Sequence, residues 1–524
     1  MKTRVRATCL MVFLAVHHNF SPALRSAPSD SVAQKPAVFT DPERAEKVRA
    51  TAAAVEEIFK AYMESRHMPG FVYGVVLDGQ LIYSGGFGYA NLDQQTPADT
   101  KSLFRIASMS KSFTALAILQ LRDAGKLNLD DPASNYLPEM KHLRYLTTDA
   151  PEITIRHLLT HGAGFPEDNP WGDRQLADSD EELRRFIENG VSFSNVPGVA
   201  FEYSNLGFAL LGQIVQKVSG MEFQKYTIAN IFKPLGMNAT VWEYEKANEK
   251  NLALGYDWIN ESYVSIPLQH HGSYGAMGGL ITSVEDFTKY VALHLSAWPP
   301  RSDEEAGPLK RSSLREMHHP WRFDALMANF RYPNGKECPA ASAYTYGLSW
   351  LRDCVGKVYL RHSGGLPGFG SNWTMMPDYG LAVMSFDNVT YGGTSTINIA
   401  VLDTIVTLAG LRPRTLPVSD ILEQRKNALV KLLPDWEGAE SSGLFAENFF
   451  MDNRLEEIVK RTKGLYAEAG EITEVGTMTP LNQLRGTFIL AGKRKNIEAF
   501  FTLTPEKEPL IQQVRMRAVE KNEK

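Results

Sequence analysis

The chain has 524 residues, 44% of them apolar and 22% charged, which is ordinary for a soluble globular protein and far more than one modest core needs. Fifty-five basic residues against 60 acidic ones leave a net charge of −5, and no basic stripe or Lys/Arg block stands out, so nucleic acid is excluded as an expected partner. Length alone suggests roughly two to four domains.

Lys2, Arg4 and Arg6 precede an apolar run over residues 7–16. So short a run cannot cross a hydrocarbon core, which needs about 20 residues in a helix. It reads as the apolar segment of a signal peptide over residues 1–23, with Ser21 and Ala23 as the small residues before a cut. This implies export to the periplasm or the medium. No later stretch is long and uncharged, so no stable membrane insertion is expected once the leader is gone. Residues 24–40 read as a linker. Leader removal takes Cys9 and leaves Cys338 and Cys354. An even pair in an oxidising compartment permits a disulfide, and two free buried thiols fit the same count.

Asp41 as N-cap and Pro42 at the first position open a helix expected to run to about His67, where Met68-Pro69-Gly70 stops it. Residues 71–77 and 80–87 read as a hairpin closed on Asp78-Gly79. Ser108 then opens a strongly apolar helix containing Phe113, Leu116, Ile118, Leu119 and Leu121, ended by Gly125. Helical and loop signals dominate residues 155–295. Strands return at 346–351, 357–362, 371–376 and 381–386, and a helix over 394–408 follows. Strands at both ends with helices between them predict one α/β (α+β) unit over residues 41–410: a sheet assembled from both ends, with a helical insertion. Residues 411–418, with Pro413 and Pro417, read as a second linker. The remainder, 419–524, begins helical (419–433 and 452–463) and ends in strands at 471–478, 486–491, 497–504 and 510–516. This pattern predicts a small separate α+β domain.

Ser108-Met109-Ser110-Lys111 is the only Ser-x-x-Lys in the chain. Residues i and i+3 share a helix face, so hydroxyl and amine can meet. A serine hydroxyl needs a base to take its proton, and a lysine becomes one when burial lowers its pKa. The apolar helix predicts such burial for Lys111. Tyr-x-Asn occurs at Tyr89-Ala90-Asn91, Tyr203-Ser204-Asn205 and Tyr332-Pro333-Asn334. Only the second opens an apolar helix. There Tyr203, beside the lysine ammonium, is expected to ionise below its usual value of about 10 and serve as base. Asn205 would hold the lysine and a substrate carbonyl together. His-x-Gly occurs at His270-His271-Gly272 and His362-Ser363-Gly364; the second ends a clear strand and continues as Gly365. Backbone amides of Gly365 and Ser108 could form an oxyanion hole.

Together these elements resemble the serine β-lactamase-related family: the class C β-lactamases, penicillin-binding proteins, and related esterases and D-amino-acid peptidases. The stretch from Ile155-Arg156-His157 to Gly162-Ala163-Gly164, Pro197-Gly198 before Phe201-Glu202-Tyr203, and Gly278-Gly279-Leu280 leading to Asp286 are similar too. The resemblance covers about residues 45–410. It implies a β-lactamase/transpeptidase-like antiparallel sheet flanked by helices, with the site beside a helical subdomain. It assigns Ser108, Lys111 and Tyr203 to catalysis, Asn205, His362, Ser363 and Gly364 to substrate binding, and Ser108 and Gly365 to the oxyanion. The C-terminal segment resembles small cystatin-like or NTF2-like modules. True β-lactamases of this branch have Lys-Thr-Gly where this chain has His362-Ser363-Gly364. A histidine carries charge only near or below its pKa of about 6.5, so carboxylate recognition should be weak at neutral pH and improve toward pH ~6.

The reading is an exported serine hydrolase acting on a small ester, peptide or β-lactam through an acyl-enzyme on Ser108. Alternatives are an acylation-only penicillin-binding sensor, a DD-peptidase-like protein or a non-catalytic interaction protein. No Gly-x-Ser-x-Gly or His-Glu-x-x-His is present, so neither an α/β-hydrolase nor a zinc hydrolase is expected, and no cofactor or metal is called for. Oligomeric state is left open.

Overall fold

The computed structural model describes residues 35–332, 334–393 and 397–521. The expected leader and the linker up to residue 34 lie outside the described residues.

The expected first helix is two, α1 (Arg44–Arg49) and α2 (Ala52–Ser65). Asp41 takes the Glu43 amide at 2.9 Å, so the helix starts after it. At the break, Thr51 Oγ1 donates to the Val48 carbonyl at 2.7 Å and contacts the Tyr83 hydroxyl at 3.0 Å. A hydroxyl that takes a helical carbonyl gives the backbone an alternative to continuing.

The central sheet has nine strands: β1 (Gly70–Leu77), β2 (Gln80–Asn91), β3 (Thr96–Pro97), β4 (Arg322–Met327), β5 (Ala340–Tyr344), β6 (Ser349–Asp353), β7 (Val358–Leu366), β8 (Phe369–Met376) and β9 (Leu381–Asp387). Their spatial order is β3-β2-β1-β9-β8-β7-β6-β5-β4, and each neighbouring pair is antiparallel. The N-terminal hairpin therefore lies against the last strand, with β1 pairing β9 from Phe71–Asp387 to Leu77–Leu381. Every residue of β1 is buried because both faces are covered. Phe71, Tyr73, Val75 and Leu77 enter one core with Phe59 of α2 and Leu402 of a helix over Ile397–Leu408. Val72 and Val76 enter the other with Phe287 of a helix over Val284–Ser296. This is the period-2 alternation of a strand between two layers.

The Asp78-Gly79 turn has the positive φ pair, 52° and 81°, that a tight hairpin requires. Strands β4 and β5 and the hairpin over Gly255–Ile259 and Ser262–Ile266 were not expected from the sequence. Cys338 and Cys354, just outside β5 and β6, are disulfide-bonded with Cα atoms 5.5 Å apart.

The C-terminal segment has its own apolar cluster, built on Leu422, Trp436, Phe449, Phe488 and Phe501. Helices over Asp420–Leu432 and Leu455–Ala469 precede a five-stranded antiparallel sheet. The two expected linkers touch: Val38 and Thr415 exchange backbone hydrogen bonds at 2.9 and 2.8 Å. Among the described residues no helix is long and apolar enough to cross a membrane.

Candidate active site

Ser108 sits where the chain turns from a two-residue strand, Phe104–Arg105, into the helix over Ser110–Asp123. Ala107, just before it, has φ +48°, a left-handed conformation that costs a non-glycine residue about 1–2 kcal/mol. The surroundings hold it there. The Ile106 amide donates to the Leu280 carbonyl at 3.0 Å, and the Ser371 hydroxyl donates to the Ile106 carbonyl at 2.7 Å. The Ser110 hydroxyl donates to the Ala107 carbonyl at 2.7 Å. The turn thus holds Ser108 at the foot of the helix, where 8% of it is exposed.

Lys111 is fully buried, one turn further on. Its Nζ donates to Ser108 Oγ at 2.9 Å, Asn205 Oδ1 at 2.7 Å and the Met277 carbonyl at 3.0 Å. Burial lowers its pKa from 10.5 to about 7, against the opposing pull of Asp173, Asp168 and Glu167. Near neutrality a large share of the molecules therefore carries a free lone pair on Nζ.

Tyr203 lies beside Ser108, and Lys111 Nζ lies 4.9 Å from the centre of its ring. Burial drives its pKa well above the usual value, and the carboxylates of Asp173 and Asp168 push the same way. The expectation that Tyr203 ionises below 10 is therefore corrected. The lysine faces the ring, burial outweighs it, and the phenol stays protonated.

The Tyr203-Ser204-Asn205 loop is fastened from two sides. Asp168 accepts the amides of Asn205 at 2.6 Å and Leu206 at 2.8 Å, at the start of the helix over Asn205–Ser219. A carboxylate is stabilised there by orphan amides and the helix dipole. His161 Nδ1 accepts the Ser204 amide at 3.0 Å. Asn205 Nδ2 donates to Asn169 Oδ1 at 2.6 Å, which fixes the amide so that its oxygen meets Lys111.

On the facing wall, β7 carries His362, Ser363, Gly364 and Gly365. It pairs with β6 only as far as Arg361, so His362–Leu366 leave one edge unpaired. A Cβ on Gly364 would collide with the Ile106 carbonyl and the Ser371 hydroxyl, and would reach within 3.0 Å of the Ala107 methyl. Glycine lets the strand lie against the nucleophile turn. Ser363 is exposed.

His362 is buried, and both its nitrogens are engaged. Nδ1 lies 2.6 Å from the Ser363 carbonyl and so carries the proton; Nε2 lies 2.9 Å from the Tyr344 hydroxyl and accepts from it. Burial, followed by the Lys111 charge, lowers its pKa to about 3. The expectation that His362 gains charge toward pH 6 is corrected: the ring stays neutral, with no nitrogen free for a substrate carboxylate.

The other motif copies stand apart from this group. Tyr89 and Asn91 end β2. Tyr332 donates to Asp353 and contacts Tyr359 at 3.1 Å near the disulfide hairpin. His270 and His271 lie against Glu243. Sequence reasoning missed Asp168, Asn169, Asp173, Tyr344 and Tyr391, and gave His161 no role; no motif spacing signals any of them.

A helix-flanked antiparallel sheet with Ser-x-x-Lys and Tyr-x-Asn meeting beside a strand edge defines the penicillin-recognising class of serine proteins. The Beta-lactamase family profile matches residues 55–404, and the chain belongs to that family. It is 29% identical over 341 residues to protein flp of Staphylococcus aureus (strain COL), covering 64% of this chain and 63% of that one. It is 34% identical over 253 residues to β-lactamase-like protein 2 of Dictyostelium discoideum, covering 47% and 46%. The chain thus spans less than two thirds of the length of these curated relatives. Among solved structures it aligns with the octameric penicillin-binding protein homologue from Pyrococcus abyssi at TM-score 0.56 and 22% identity, covering 88% of this chain and 99% of that one. That likeness is one of fold.

Proposed function

We propose that the protein is an exported serine hydrolase that forms an acyl-enzyme on Ser108 and passes the acyl group to water. The observation that carries this reading is the 2.9 Å contact between Ser108 Oγ and an amine held near neutrality by burial. Neutral Lys111 takes the hydroxyl proton as Ser108 Oγ bonds to the carbonyl carbon of an ester or amide. The amides of Ser108 and Gly365 receive the oxyanion. The lysine proton returns to the leaving group through the Tyr203 phenol, which stays neutral and relays rather than ionises. Water then repeats the sequence, and Ser108 leaves. Because His362 is neutral and internally bonded, we expect esters or amides without a carboxylate to be preferred over penicillins at every pH, with no recovery of penicillin turnover toward pH ~6.

Incubation with a fluorophosphonate should add one label, located on Ser108 by peptide mass, and Ser108→Ala should abolish it. Undiminished labelling of that variant would overturn the assignment. Steady turnover of a simple ester separates a hydrolase from an acylation-only sensor, which would give one burst and stop. For export, the support is the Lys2, Arg4, Arg6 and apolar 7–16 pattern together with the Cys338–Cys354 bond, which suits an oxidising compartment. The intact mass of protein recovered outside the cytoplasm should lack residues 1–23; a mass including Met1 counts against it.

A further inference from the structure

We propose that Asp173 binds a positive charge on the acyl side of the substrate, so that the preferred substrates carry a free amino group beside the scissile carbonyl. This rests on the acyl-enzyme reading above and narrows it.

Asp173 lies in a short turn over Gly172–Gln175 and is 2% exposed. Its Oδ2 accepts from the Tyr391 hydroxyl at 2.9 Å. Its Oδ1 is buried and has no hydrogen-bond partner among the described residues. No Lys, Arg or His lies within ion-pair distance of it among the described residues. A buried carboxylate oxygen without a partner is unfavourable and calls for an explanation.

Its position supplies one. Gly172, the preceding residue, packs so closely on Asn205 that a Cβ there would come within 2.8 Å of the asparagine Cβ. Tyr391, its partner, lies with its ring against Gly365. Asp173 therefore spans the gap between Asn205 and the Gly365 strand, the two walls that flank an acyl group on Ser108. With the carbonyl carbon on Ser108 and its oxygen at Gly365, the substituent next to the carbonyl points into that gap.

Lys111 does not take up the spare charge by contact. Its Nζ is engaged with Ser108, Asn205 and Met277 rather than with Asp173. The charged groups facing Asp173 are Lys111, Asp168 and Arg174, with Tyr391 as its neutral partner. An ammonium placed there would complete Oδ1 with a charge-assisted hydrogen bond. A carboxylate in the same gap would meet Asp173 as a like charge, which agrees with the preference expected from His362. Tyr391 is 42% exposed, so the partner of Asp173 borders solvent.

The test compares alanine p-nitroanilide with its N-acetyl derivative, both enantiomers of each, on the full chain and on Asp173→Asn. In the unaltered protein, kcat/KM at pH ~6.5 should favour the free amine by about tenfold or more, the range of one charge-assisted contact. The ratio should fall toward one above pH ~8, where an α-amino group loses its proton. In Asp173→Asn it should be near one at both pH values. Changes in Lys111 cancel in the ratio, so an effect of Asp173 on the base alone would leave it unchanged and overturn the proposal. Equal or better turnover of the acetylated compound at pH ~6.5 would also overturn it. If the variant fails to fold, the pH series on the unaltered protein decides. Fluorophosphonate labelling of Ser108 is run beside it: failure to label sinks the underlying hydrolase reading, whereas normal labelling with a flat ratio sinks only the role of Asp173.

Discussion

The walls around Ser108 and the C-terminal sheet bury polar groups in opposite ways. Lys111, Asn205, Asp168, Asp173, His161 and His362 are all buried in the elements around Ser108. Among the described residues from Val418 onward the buried polar side chains are Lys426, Thr462 and Thr504, and each has a partner within that segment. Lys426 meets Glu423 at 2.6 Å, Thr462 accepts from the Trp436 indole at 3.0 Å and Thr504 accepts the Leu510 amide at 2.9 Å. The C-terminal strands Arg485–Gly492 and Asn496–Leu503 alternate buried and half-buried residues along almost their whole length. Burying polar groups costs stability, so a dense cluster of them lining one site points to a role besides packing. On the proposed function the first region accepts that cost for chemistry, whereas the second is built for cohesion.

The largest expected effect tests the chemical side. Lys111→Met keeps the length and removes the amine. It should lower ester turnover on the order of a thousandfold, the range of a lost general base. The melting temperature should move by only a few degrees, because the desolvation of a buried amine offsets the hydrogen bonds it makes. A loss of turnover accompanied by a collapse of the fold would place Lys111 among the structural groups and erase the contrast.

The cohesive side breaks elsewhere. Phe501 is fully buried in the C-terminal cluster. Phe501→Ala should cost about 3–5 kcal/mol, read as a lower-melting transition, while fluorophosphonate labelling of Ser108 persists. The same independence predicts that a chain ending near Leu411 keeps its reaction with a small ester. Lost labelling in either case would mean that the C-terminal segment completes the site.

The parts legible in the sequence are those set by local spacing. Ser108 and Lys111 meet because i and i+3 share a helix face, and Tyr203 and Asn205 stand at the start of a recognisable apolar helix. The sheet built from both chain ends followed from the order of its strands. What escaped depends on contacts between distant residues. Asp168 meets Leu206, and Asp173 meets Tyr391, only after folding. Strand β4 shows the irregular burial of an exposed edge and gives no alternating pattern to read. The ionisation states of Tyr203 and His362 were misjudged because sequence names the titratable group, whereas burial sets its pKa.

That dependence on burial gives a smaller, sharper effect. For an uncharged ester, kcat/KM should fall about tenfold per pH unit below about 7 and level off above pH ~8. The sign follows from Lys111: its pKa is lowered to about 7, its protonated form cannot accept the Ser108 proton, and acid removes the base. A flat profile between pH ~5.5 and ~8 would remove Lys111 from the role of base.

The smallest expected effect decides which group owns that acidic limb. His362 titrates near 6.5 when free, close enough to Lys111 in this site to be mistaken for it in a pH profile. Its burial and its bonds to Tyr344 and the Ser363 carbonyl hold it neutral, with a pKa of about 3. His362→Gln offers Tyr344 an amide oxygen in place of Nε2 and carries no ionisable group. The loss of the Nδ1 contact should cost on the order of 1 kcal/mol, a few-fold in rate through looser placement of the Gly364–Gly365 edge. The midpoint of the profile should stay where it was, because Lys111 still sets it and the neutral ring contributes no charge to it. If the acidic limb vanishes in His362→Gln, or its midpoint moves by a full unit, the histidine is the titrating group and the lysine reading of the base fails.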